Sequence, residues 1–185
     1  MAEDLRDTLN KFRAFIDGIP AFSDEVAVTL SLNATQLVNS RIVDTGTDAN
    51  GQPLVHKRSG KDYSDTQLPV STFVDSGMIT PGKAKSLPVF VSYVDVKKSI
   101  GRYTGKRNLT LTGAMWKNTG LTSKQVTPGG FVATVAGKTA ETQMKLDNNS
   151  IQSDTNVLTL SKEEEEILAG DLDVELQQYI DTIGL

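Results

Sequence analysis

Apolar positions recur with a helical period at both ends of the chain and lose all period in between. Leu5, Leu9, Phe12 and Ile16 are separated by four, three and four residues, which places them on one stripe of a helix between Asp4 and Asp17. Gly18 and Pro20 are expected to end it, since glycine suits a C-terminal cap and proline has no N–H to continue the ladder. Asp24 is the expected N-cap of a second helix running to about Val43. Val26, Leu30, Leu37 and Arg41 share one of its faces, while Val28, Leu32 and Val38 make the opposite side apolar. A helix apolar on two sides is expected to lie between other elements or between copies of the chain.

From Asp44 to Ser86 glycines (Gly46, Gly51, Gly60, Gly77, Gly82) alternate with prolines (Pro53, Pro69, Pro81), and this predicts a long irregular arm over 44–86. Such an arm either solubilises the chain or orders against a neighbouring subunit or DNA, and deleting 51–82 is expected to leave a folded body. The β-branched run Val89 to Val96 suits a strand, yet its Lys97 and Lys98 ending suits a helix C-terminus; a helix from about Ser92 is expected. Leu109, Leu111, Met115 and Trp116 then fit a short helix over 108–119 that ends at Gly120.

Residues 122–137 read as a β-hairpin, with Pro128, Gly129 and Gly130 in the turn and Phe131 to Val135 in the return strand. A polar helix with Ala140, Met144, Leu146 and Ile151 is expected over 138–152, and 156–160 as a short strand extending the hairpin sheet. Ser161 and Glu164 form a capping box at the start of a C-terminal acidic amphipathic helix, 161–185. Leu172 and Leu176 are expected on its core face, and Gly170 to mark a bend or a close contact. The fold class is therefore α+β: helices packed on a small antiparallel sheet, with 1–185 forming a single domain that carries the 44–86 arm.

Composition narrows the chemistry. With 185 residues the chain can form a core unaided. No Cys and a single His, His56, exclude disulfide frameworks, thiolate zinc sites, Cys nucleophiles and any site needing two imidazoles. The net charge of −4 is unevenly spread: from Asp154 onward nine carboxylates face one cation, Lys162, for a net −8 against +4 in the remainder. That distribution fits either a solvated acidic helix or head-to-tail contacts between copies. No apolar run is long enough to span a bilayer, and Ala2 to Asp17 is too acidic and amphipathic for a secretory signal, so a cytoplasmic setting is expected.

Each candidate motif fails on mechanism. Gly101 to Arg107 has three residues between its glycines where a phosphate-binding loop needs four, and Arg107 replaces the hydroxyl that holds magnesium. Aligning Gly51 with the sixth position of a calcium loop puts Gly46 and Lys57 where charged ligands belong. His56 lies in the arm as an exposed histidine, Glu163 to Glu166 radiate as a solvated first turn, and Trp116 beside Met115 belongs to the core. No catalytic, cofactor-binding or metal-binding residue is expected, and the chain is not expected to be an enzyme. Lys57, Arg58 and Lys61 in the arm and Arg102, Lys106 and Arg107 in the basic turn are candidate contacts to a partner or to the DNA backbone. A non-sequence-specific nucleic-acid-binding accessory domain is the alternative function.

Four stretches resemble one family in their order along the chain. They are Arg41 to Gly51, passing from a helix into a glycine-rich arm; Tyr63-Ser64 within that arm; Leu109 to Asn118, with its Thr-Gly-x-Met helix start ahead of a hairpin; and Thr159 to Glu166, a short strand and capped terminal helix. Over about 24–185 the chain resembles the phage virion-morphogenesis or tail-completion proteins, including neck proteins of crAss-like phages. It departs from them in lacking basic residues after the Tyr element and in its first helix. The resemblance implies a structural virion protein joining head to tail, present as copies of itself in a ring around the DNA channel. Its implied partners are adjoining portal or connector and tail proteins, with nonspecific contact to genome DNA and neither cofactor nor membrane.

Overall fold

Helix α1 (Ala2–Ser40) is the spine of the molecule, 39 residues and about 58 Å long. The computed structural model describes residues 2–103, 105–109, 113–127 and 130–185, with side chains from Leu5 onward. Contrary to expectation, α1 runs through Gly18 and Pro20 without a break. Packing outweighs the lost backbone bond: Tyr179 sits against Gly18, stacks on Phe22 with ring centroids 4.6 Å apart and on Phe15 at 5.4 Å. Asp24, expected as an N-cap, is inside the helix and pairs with Lys124 at 2.6 Å. A π-helical turn (Arg41–Thr45) closes α1, ended by Gly46 in the left-handed region at φ +70°.

Helix α7 (Lys162–Ile183) lies antiparallel along α1, and contacts at successive levels fix its course. Glu164 meets Arg41, Asp171 accepts from Asn33 Nδ2 at 2.9 Å, and Tyr179 meets Phe22, Gly18 and Phe15. The expected capping box is present, with Ser161 Oγ accepting from Glu164 N at 3.2 Å and Glu164 Oε2 accepting from Ser161 N at 2.7 Å. Glu164 itself is buried, so the run 163–166 is not the fully solvated turn expected. Leu172 is only half-buried and Leu176 is exposed, so the expected core face of α7 is not centred on them.

The hairpin is as expected: β3 (Thr119–Thr127) pairs antiparallel with β4 (Gly130–Gly137), from Thr119↔Gly137 to Thr127↔Gly130, with an irregularity between Leu121 and Ser123. It packs on α1; the expected turn residues Pro128 and Gly129 lie outside the described residues. Residues 156–160 do not extend this sheet. They form a turn that sends Val157 into the core with Val38, Ile42, Leu54, Met115, Trp116 and Leu146. Trp116 stands on the short α5 (Ala114–Lys117), and Leu146 on α6 (Ala140–Ser153); Leu111 lies outside the described residues.

Segment 44–86 is irregular through most of its first half, but it is folded onto the body. It contains β1 (Leu68–Pro69), α2 (Val70–Asp75) and α3 (Pro81–Ala84), and β1 pairs antiparallel with β2 (Phe90–Val91). Leu54 enters the main core, while Phe73 and Ile79 form a second core with Val91 and Val96. Val96 belongs to α4 (Tyr93–Ser99), which begins at Ser92 as expected through a capping box with Asp95. Because this segment supplies side chains to both cores, its removal is expected to cost the fold, in contrast to the tolerance to deletion expected from the sequence. On α1 the second apolar side is divided: Val28 and Leu32 are exposed, while Val38 lies in the main core. No described helix is long and apolar enough to cross a membrane.

Candidate functional site

Two cations are buried around Tyr63. The capping box of α4 sets its phase so that Val96 and Lys97 both turn inward. Lys97 has 0% of its surface exposed; its Nζ donates to Tyr63 Oη at 2.7 Å and to Asn108 Oδ1 at 2.8 Å, and lies 4.5 Å from the Tyr63 ring centroid. The Tyr63 hydroxyl also accepts from Asn108 N at 3.1 Å. Arg107, 2% exposed, donates from Nη2 to Gln152 Oε1 at 2.9 Å and Asn149 Oδ1 at 3.3 Å, while its Nε and Nη1 meet no acceptor among the described residues. Neither cation has an ion-pair partner among the described residues. Asp62 acts on both through space.

Burial is the dominant influence on these groups. It lowers the Lys97 ammonium to about 8 and pushes the Tyr63 hydroxyl well above its ordinary range, because each charged form loses water that two or three hydrogen bonds replace incompletely. Burial likewise lowers Arg107. His56 is lowered first by burial, then by repulsion from Arg107 and Arg58, against the opposing pull of Asp65. An amine held near pH 8 is a nucleophile in an open site. Lys97 is fully enclosed, so its effect is mechanical: it ties the Tyr63 segment, α4 and residues 107–108 together.

The six expected contact residues do not form one surface. Lys57 and Arg58 line a polar cleft of about 370 Å³ with His56, Asp65 and Gln152. Lys57 pairs with Asp154 at 3.4 Å and Lys61 with Asp65 at 3.0 Å, so two of the arm's three cations are partly neutralised. Arg102 is exposed, Lys106 packs its stem over Gly46, and Arg107 is inside the protein. Sequence reasoning took Lys97 for a dipole-compensating cation and missed its burial. The available signal was its place in the apolar run Val89 to Val96, one residue after an inward valine.

A cleft of about 650 Å³ lies between α1, β4 and α6 and is lined mainly by apolar groups such as Leu30, Val38, Phe131, Val135 and Leu146. Among the described residues no three imidazole or carboxylate groups converge as a metal site. The α1 stripe is an exposed apolar row: Leu5, Leu9, Phe12 and Ile16 are 64%, 53%, 52% and 61% exposed. No family model, curated protein or solved structure matches this chain.

Proposed function

We propose that the chain is a structural protein of a tailed-phage virion, a neck or tail-completion subunit that forms a ring with its copies around the DNA channel and meets portal and tail proteins. It would be assembled in the host bacterial cytoplasm and would act without catalysis or cofactor. The observation that carries this reading is the uncovered α1 stripe. Covering what remains exposed of these four side chains is worth about 3–7 kcal/mol before association costs, a gain that a solvated helix forgoes. The order of motifs from Arg41 to Glu166 supplies the family.

Contact with DNA is confined to Arg58, Arg102 and Lys106, since the other three basic candidates are paired or buried. Binding to duplex DNA is therefore weak, nonselective and strongly salt-dependent. Tight, sequence-selective binding in a titration at two salt concentrations would instead favour the accessory nucleic-acid-binding function. Negative-stain images of the purified protein and the protein content of purified particles test the main reading. Rings of uniform diameter and presence in the particle are expected, and a monomer absent from particles overturns it.

A further inference from the structure

We propose that the exposed stripe of α1 docks on the outer face of α7 of a second copy, joining chains head to tail through helices with oppositely charged rims. The inference rests on the self-assembly in the proposed function and adds the two surfaces that meet.

The receiving face is also uncovered. Ile167 and Val174 are exposed on α7, seven residues apart. Between them Gly170 is open: a β-carbon built there meets nothing within 4 Å. A glycine inside a helix is unfavourable relative to alanine, and no contact within the chain explains this one. It leaves a notch between two apolar side chains, where another helix can approach closely. Beside Ile167 a shallow groove of about 250 Å³ separates α7 from Leu37 and Asn33 of α1, the natural seat for a third helix on an antiparallel pair.

Charge selects which helix fills that seat. Arg6 and Arg13 each follow a stripe residue, Leu5 and Phe12, by one position; Glu166 and Asp173 each precede Ile167 and Val174 by one. All four are exposed, and Glu166 has only a long 3.8 Å contact to Lys162. Both pairs are spaced by seven residues, about 10.5 Å along a helix, so two charge contacts and the apolar contacts can form in one register. Pairing two α7 faces would bring carboxylates together, and pairing two α1 stripes would offer their arginines only Asp17, which follows Ile16 by one and can meet Arg6 but not Arg13 in one register; the mixed pairing gives both arginines a carboxylate. Because it uses a different surface on each copy, it repeats around the assembly until a ring closes.

Light scattering across a concentration series of the full chain tests this with R6E/R13E, E166K/D173K and the quadruple variant. Either double reversal is expected to weaken self-association roughly a hundredfold, and the quadruple variant to restore it to within about tenfold of the parent. Gly170→Leu fills the notch at an exposed position and is expected to weaken association by about tenfold without lowering the melting temperature. If the parent assembles and the double reversals or Gly170→Leu assemble equally well, or if the quadruple variant is not restored, the docking is wrong while self-assembly stands. A parent chain that stays monomeric throughout overturns the docking and the ring together.

Discussion

Tyr179 occupies the space that a side chain at residue 18 would need, and its hydroxyl donates to the Phe15 carbonyl at 2.8 Å. Gly18 is therefore present in α1 for the close approach of α7, at the turn where Pro20 already removes a backbone donor. The tyrosine ring is held between Phe15 and Phe22 and has little freedom to move aside.

Gly18→Ala is expected to destabilise the protein by about 1–3 kcal/mol, although alanine is the better helix former. Gly170→Ala, with open space above it, is expected to stabilise the monomer by about 1 kcal/mol. Urea unfolding of the two variants side by side separates a glycine required by packing from one that is not.

Stability should rise with pH above about 8 because of Lys97. Its amine is lowered to about 8 in the folded protein against an ordinary 10.5, so between those values the unfolded chain binds a proton that the folded one does not. The burial penalty is full below pH 8 and fades as pH rises through it. Above about 10 the trend reverses, because the Tyr63 hydroxyl ionises more readily in the unfolded chain than in the folded one. Urea midpoints from pH 7 to 9.5 should therefore increase for the parent relative to Lys97→Met, which lacks that titration.

Arg41 joins four segments through one guanidinium. Nε donates to Glu164 Oε1 at 2.8 Å, Nη1 to Thr47 O at 2.9 Å and Nη2 to Thr159 O at 2.8 Å, with the Arg41 and Glu164 side chains only 11% and 7% exposed. Glu164→Ala removes both the buried counter-ion and the capping box, and is expected to cost about 3–5 kcal/mol. Calorimetry on Glu164→Ala, Arg41→Met and the double variant should show the double costing less than the sum of the singles.

Deleting 51–82 should abolish cooperative unfolding, since it removes Leu54, Tyr63, Phe73 and Ile79 from the interior. Leu54→Ala alone should lower stability by about 2–5 kcal/mol in the same assay. A deletion variant with a normal melting transition would restore the view of this segment as an appendage.

Features written within a few residues were legible in the sequence. The Ser161 and Glu164 capping box, the helix start at Ser92 and the 119–137 hairpin each depend on local spacing and turn chemistry. The break expected at Gly18 and Pro20 failed because the residue that decides it, Tyr179, is distant in the chain. Glu164 looked solvated among four glutamates until α7 brought it to Arg41. Lys97 and Arg107 were the least legible, since buried cations with no ion pair among the described residues contradict the ordinary rule for charged residues. The arm misled for a related reason: its glycines and prolines describe its turns but not the four side chains it inserts between them.

The clamp of Tyr179 on Phe15 also sets an order of events during synthesis. The two residues are 164 positions apart, so at 5–20 residues per second a ribosome needs about 10–30 s to produce the second after the first. For that interval the nascent α1 lacks the helix that lies along it. Slowing translation would lengthen the time for which the α1 face stands without α7.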